Sequence, residues 1–294
     1  LLETLDMGKP VRDARRIDLP GVVRCLRWTA EAVDKLYGEV APTGPHELGL
    51  VTREAAGVVA AIVPWNFPLL MACWKIAPAL AMGNSVVLKP SERSPLSALR
   101  LAALAAEAGL PEGVLNVLPG HGARVGEPLA LHMDVDVLAF TGSTATGAKL
   151  LEYSGRSNLK RVWLECGGKS PHVVFADAPD LDAAAKAVAQ GIFFNQGEVC
   201  TAGSRLLVQR SIRDDFVHQV IAYGQRMQPR HPLEADAPMG ALVDAAHVDK
   251  VLADIARAEA DGARLLLGGQ RAEVEAGGCY VQPTVFDQVR PEQA

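Results

Sequence analysis

The sequence predicts an α/β protein built on a parallel sheet covered by helices. Three observations lead there. Short apolar runs of strand length alternate with longer, helix-length apolar stretches through the middle of the chain. Each of five such runs is followed at once by polar or glycine-rich residues. The chain is 294 residues long, 49% hydrophobic and 21% charged, which gives core material for about two domains.

Each element has its own reason. Val58–Val63 (VVAAIV) is continuously apolar, as a strand buried on both faces must be. Residues 69–81 are apolar over a helical length. Ser85–Leu88 (SVVL) is the second strand. Then Ser94 suits an N-cap, Pro95 the first helical position and Gly109 the stop of a helix. Val114–Leu118, Asp136–Phe140 and Arg161–Leu164 follow as strands, with helical segments near 123–132 and 145–153 between them. Strand, helix, strand in succession requires crossover connections, and these are right-handed between parallel strands. No internal repeat or low-complexity linker breaks the pattern.

Charge and cysteine usage exclude several classes. Net charge is −5, with acids and bases interspersed and no basic face, so nucleic acid is not an expected partner. Cys25, Cys73, Cys166, Cys200 and Cys279 are widely spaced without a C-x-x-C, which argues against a disulfide framework and against zinc. The seven histidines show no ligand spacing, so no metal is expected. Free thiols fit a reducing compartment, and a cytoplasmic location is expected. Residues 55–74 carry no charge and are long enough to span a bilayer, but PWNFP in their middle reads as strand, turn and helix of a soluble fold. The chain starts at LLETLDMGKP, with no leader read there, and stops in mid-pattern at PTVFDQVRPEQA; a fragment of a longer protein is expected.

In an open parallel sheet, ligands bind beyond the carboxyl ends of the strands. Those ends carry, in order, Pro64-Trp65-Asn66-Phe67, Lys89-Pro90-Ser91-Glu92, Gly120-His121-Gly122 with Gly126, Thr141-Gly142-Ser143, and Glu165-Cys166-Gly167-Gly168. Gly120-x-Gly122-x-x-x-Gly126 misses the usual dinucleotide spacing by one residue, so it reads either as turn glycines or as a phosphate cradle. Lys89 and Glu92 read as a surface ion pair or as hydrogen-bonding partners for ribose hydroxyls. Cys200, in the polar stretch NQGEVCTAGSR, reads as a packed thiol or as a nucleophile.

IVPWNFP, NSVVLKPSE, AFTGST, LECGGKSP and NQGEVCTAGSR, in that order, resemble the NAD(P)-dependent aldehyde dehydrogenase superfamily over essentially the whole chain. Within it the chain looks most like bacterial gamma-glutamyl-gamma-aminobutyraldehyde dehydrogenases of polyamine breakdown. The resemblance implies a Rossmann-like cofactor domain over residues 1–166, with an oligomerisation hairpin at 37–55, and an α/β catalytic domain over 167–294, truncated relative to longer family chains. It implies NAD-dependent oxidation of an aldehyde to a carboxylate, by an oxidoreductase that forms homodimers or homotetramers.

The same resemblance assigns the site. Cys200 matches the nucleophile that forms a thioester. Asn66, with the Cys200 N–H, matches the oxyanion donors, and preorganised donors of this kind are worth a few kcal/mol. Glu165 matches the base that activates water, in a partly apolar cleft. Lys89 is counted in both the catalytic and the cofactor sets. The cofactor set is Val63, Pro64, Trp65, Lys89, Ser91, Glu92, Gly122, Gly126, Phe140, Thr141, Gly142, Ser143 and Glu165. A carboxylate at Glu92 would repel a 2′-phosphate, so NAD is expected over NADP. Phe67, Met71, Trp74, Val199 and Thr201 match positions lining an aldehyde tunnel, though plain core packing gives the same pattern. Cys166 reads as packing. Other readings are a coenzyme-A-acylating relative, which usually lacks the Glu165 base, a cysteine hydrolase, and an inactive homologue with a binding or structural role.

Overall fold

A computed structural model describes residues 1–293 and divides the chain into two compact units, Ile17–Cys166, and Leu1–Arg16 together with Gly167–Ala294. In the first unit, β1 (Glu39–Ala41) and β2 (Gly49–Val51) form an antiparallel hairpin within the expected 37–55 segment. Val40, Leu48, Leu50 and Val51 of this hairpin are exposed.

The sheet of this unit has five parallel strands: β3 (Val58–Ile62), β4 (Ser85–Lys89), β5 (Leu115–Val117), β6 (Val137–Gly142) and β7 (Arg161–Cys166), in the order β5-β4-β3-β6-β7. β3 is central and buried, which is why its sequence is apolar at every position. From β3 the chain moves outward through β4 to β5, then returns to build β6 and β7 on the other side. The order therefore reverses between β3 and β6, and the carboxyl ends of these two strands mark the place where sheets of this kind receive a ligand. Ala60, Ile62, Ala130, Val135, Leu138, Phe140 and Leu150 form the core, with Leu164 and Cys166 packed against it.

Helices pack where the sequence put them. Pro68–Ala81 lies on β3 and β4, Leu96–Glu107 on β5, and Thr144–Gly155 on β6 and β7. Gly109 closes the second of these at φ 91°, a left-handed conformation that glycine adopts without strain. The expected cap is different. Ser94 does not cap Leu96–Glu107, whose N-cap is Pro95; its hydroxyl instead donates to the Trp65 carbonyl at 3.3 Å. A contact 29 residues away thus overrides the local capping preference.

The other unit contains β8 (Pro171–Val174) parallel to β9 (Arg205–Val208), β10 (Arg264–Leu267) antiparallel to β11 (Val285–Asp287), and the helices Leu181–Phe193, Arg213–Gln225 and Ala245–Ala260. Val174, Ala185, Val188, Phe216 and Val220 make its main core. Residues 1–16 belong here and not with 17–166, which corrects the expected start of the first domain. The reason is a backbone interlock: Val11 N–H donates to the Pro232 carbonyl at 2.8 Å and Ala241 N–H to the Gly8 carbonyl at 3.0 Å. A Cβ on Gly8 would stand 2.3 Å from the Ala241 oxygen, so the two backbones meet only because residue 8 is glycine. Among the described residues, no helix is long and apolar enough to cross a membrane.

Candidate active site

The carboxyl ends of β3, β4, β6 and β7 gather most of the expected residues on one rim of unit 17–166. Val63, just past β3, is buried and donates its N–H to the Lys89 carbonyl at 3.1 Å, which extends the ladder to β4. Pro64, Trp65 and Asn66 follow half-buried in the loop before Phe67, and Pro68 opens the next helix at its first turn, where a missing N–H costs nothing. Trp65 is fixed there by the Ser94 bond.

At the end of β4, Lys89 is buried, and its Nζ donates to the Pro90 carbonyl at 3.0 Å and faces Glu92 Oε2 at 3.5 Å. Ser91, also buried, accepts the Arg93 N–H at 3.2 Å. His121 Nδ1 comes to 3.8 Å of Glu92 Oε1 from the loop after β5. Partial burial works to raise the Glu92 pKa, but a backbone hydrogen bond and Lys89 outweigh it, with a smaller pull from His121, so the carboxyl sits below its ordinary value. Gly122–Gly126 form a π-type turn. Gly122 has open space around it, and Gly126 is buried against the Lys89 stem, where a Cβ would stand 3.6 Å from Lys89 Cδ.

At the end of β6, Phe140 and Thr141 are buried, and the Thr141 hydroxyl has no hydrogen-bond partner among the described residues. Gly142 lies on the Phe140 ring so closely that a Cβ would fall 2.4 Å from its Cζ. Ser143 caps Thr144–Gly155, its Oγ accepting the Thr146 N–H at 3.2 Å. In the β6–β7 ladder Thr141 is opposite Glu165, and Gly142 opposite Cys166. Cys166 packs on the core, as expected of it. Glu165 is exposed, on the face of β7 that also exposes Arg161 and Trp163, while Val162, Leu164 and Cys166 on the other face are half-buried against the core.

Phe67 and Met71 are buried one helical turn apart, while Trp74 is 53% exposed. Lys75, half-buried in the same helix, was not singled out by sequence reasoning. Burial lowers its pKa, and the nearby charge of Glu165 partly offsets this. Its signal was present: it is the single charge in PLLMACWKIAPALA.

Cys200 belongs to the other unit, with Val199 half-buried and Thr201 exposed beside it. Its thiol is free and exposed, and its carbonyl accepts the Gly168 N–H at 3.1 Å. Asn195 and Gln196, upstream in the same loop, are buried in left-handed backbone with φ of 50° and 58°. Among the described residues, no cluster of three or more His, Cys, Asp or Glu has metal-binding geometry.

The Aldehyde dehydrogenase family matches residues 1–294, the entire chain. The chain belongs to this family. It is 58% identical over 291 residues to the NADP/NAD-dependent aldehyde dehydrogenase PuuC of Escherichia coli, covering 99% of this chain and 58% of that one. It is 48% identical to the aminoacetaldehyde dehydrogenase of Pseudomonas aeruginosa, with the same coverages. A solved indole-3-acetaldehyde dehydrogenase in complex with NAD+ superposes with a TM-score of 0.97 at 62% identity, covering 99% of this chain and 59% of that one. The gamma-glutamyl-gamma-aminobutyraldehyde dehydrogenase of Burkholderia cenocepacia gives 0.94 at 57% identity, covering 97% and 57%. The aldehyde dehydrogenase fold expected from the motifs is therefore the fold of this chain, which spans somewhat over half the length of these relatives.

Proposed function

We propose that the protein carrying this chain is an NAD-dependent aldehyde dehydrogenase that converts an aldehyde, of the aminoaldehyde type found in polyamine breakdown, into a carboxylate through a thioester on Cys200. The observation that carries the reading is the placement of Asn66 just past β3, and of Thr141 opposite Glu165 at the ends of β6 and β7, around the point where strand order reverses, in a chain of this family. The names of the aminoacetaldehyde and gamma-glutamyl-gamma-aminobutyraldehyde relatives favour an aminoaldehyde.

The rim suits a dinucleotide. Thr141 offers a buried hydroxyl with no partner among the described residues, Gly122 leaves open space, and Gly126 adds no side chain beside Lys89. Lys89, Ser91 and Glu92 would hold an adenosine ribose, and Val63, Pro64, Trp65, Phe140, Gly142 and Ser143 would wall the crevice. Glu92 would repel a 2′-phosphate, which favours NAD over NADP.

The chain's own residues divide the remaining chemistry. Cys200 Sγ, as thiolate, adds to the carbonyl carbon, and the displaced π pair becomes an oxyanion. Asn66 Nδ2 and the Cys200 N–H donate to it, which lowers the barrier because they need not reorganise. When the oxyanion collapses, the carbon expels a hydride; NAD, when bound, supplies the acceptor. Glu165 then takes a proton from water, the resulting hydroxide adds to the thioester, and the C–S bond breaks to release the carboxylate and restore the thiolate. Lys75, half-buried on the helix after β3, sets a side-chain amine whose charge is felt by Glu165. In this reading the protein is cytoplasmic and homo-oligomeric, with hairpin β1–β2 in the subunit contact.

The test is NADH absorbance with NAD and a panel of aldehydes, with and without a terminal amine. Turnover that is fastest on the amine-bearing members and absent in Cys200→Ala is expected. No NADH with any aldehyde, while Cys200 remains titratable, would overturn the proposal.

A further inference from the structure

The loop before Cys200 is strained and tightly held. Left-handed backbone is unfavourable for a residue with a Cβ, and Asn195 and Gln196 adopt it in succession. Strain of this kind persists only where the surroundings over-determine it. Two backbone N–H groups of the segment before Ala245–Ala260, three residues apart, are gripped by side chains of the loop. Gln196 Oε1 accepts the Gly240 N–H at 3.2 Å, and Glu198 Oε1 accepts the Val243 N–H at 3.3 Å. Asn195 Nδ2 adds an internal brace to the Glu198 carbonyl at 3.3 Å.

The surroundings of Glu198 are charged as well as buried. Its side chain is 2% exposed, and His247 Nε2 stands 3.7 Å from its Oε1. Asp244, which caps the helix by accepting the His247 N–H at 2.8 Å, faces it from the same element, and buried Lys9 from the N-terminal segment. A carboxyl so placed does not serve as a solvated surface group.

We propose that Glu198 is a positioning residue for the nucleophile: its buried carboxyl, clasped by the Val243 N–H and faced by His247, fixes the turn that presents Cys200 Sγ. The proposal rests on the reading of Cys200 as nucleophile. Cys200 is two residues further along, and its carbonyl is tied to the Gly168 N–H, so the thiol sits between two fixed points. Burial also pushes the Glu198 pKa well above the ordinary carboxylate range, against the opposing pulls of the Val243 N–H, Gln196 and Lys9, while Asp244 adds to the rise.

The rate of Cys200 alkylation by iodoacetamide, read by mass on the Cys200 peptide across the pH range, tests this in the intact chain. Glu198→Ala should slow alkylation by about tenfold, the scale of losing one buried hydrogen bond. Glu198→Gln, which keeps an oxygen for the Val243 N–H, should restore both the rate and its pH profile. Glu198→Asp, one methylene shorter, serves if the alanine variant fails to fold, and should also be slow. In turnover, kcat should fall more than KM rises. A folded Glu198→Ala or Glu198→Asp with the parental rate and profile would overturn the proposal, as would a Glu198→Gln variant as slow as Glu198→Ala. Absence of NADH with the alkylation contrast intact would count against the dehydrogenase reading and leave the anchor standing.

Discussion

Glu165 stands directly across the parallel ladder from Thr141, exposed on the edge strand while its neighbour is buried. The ladder register thereby sets a carboxylate beside a hydroxyl that has no partner among the described residues. Replacing Glu165 by Gln keeps size and removes basicity. The expected outcome is a single burst of NADH followed by a stall, with steady-state kcat down about 10²–10⁴-fold, the range for loss of a general base. Intact mass should show the acyl adduct on Cys200. Normal turnover in this variant would rule out Glu165 as the base.

Asn66 lies half-buried past the central strand, in the loop whose Trp65 carbonyl is pinned by Ser94. Asn66→Ala should lower kcat by about 10²–10³-fold with little change in KM, as for removal of one oxyanion donor. A change confined to KM would move Asn66 from transition-state stabilisation to substrate binding.

Glu92 is held between Lys89 and His121, and its carboxyl is kept below its ordinary pKa. It is therefore charged at neutral pH. Glu92→Gln should raise kcat/KM for NADP relative to NAD by about tenfold, equivalent to about 1.4 kcal/mol. An unchanged ratio would exclude Glu92 from the discrimination.

Asp287, at the end of β11, accepts hydrogen bonds from Arg213 and, at 2.7 Å, from Arg264. The Arg213 bond is the main cause that lowers its pKa to about 2, against an opposing effect of burial. An unfolded aspartate titrates near about 3.9. The native state thus binds fewer protons, so the contribution to stability is complete above about pH 4 and is lost as pH falls toward about 2. Asp287→Asn should lower the thermal midpoint at pH 7 by about 2–4 °C, the scale of about 1 kcal/mol. The gap should close in acid; a gap independent of pH would exclude this pair as its source.

The strands, their order along the chain and the residues at their ends were legible in the sequence because they are local. An apolar run such as VVAAIV must be buried on both faces, and five ordered motifs identify the family whose fold the chain has. The readings of Cys200, Glu165, Asn66 and Lys89 as site residues come from their match to those motifs.

What the tertiary structure decided is what depends on long-range partners. The sheet order put β6 beside β3, so that the ends of β3 and β6 flank the reversal. Ser94 left its cap for a carbonyl 29 residues away, residues 1–16 joined the second unit through Gly8 and Val11, and Glu165 emerged on an exposed edge. Glu198, a charged letter in a polar loop, became a buried carboxyl facing His247 and Val243. A sequence states which groups are near along the chain; desolvation and hydrogen bonding depend on which groups folding brings together, and these set the state and role of each side chain.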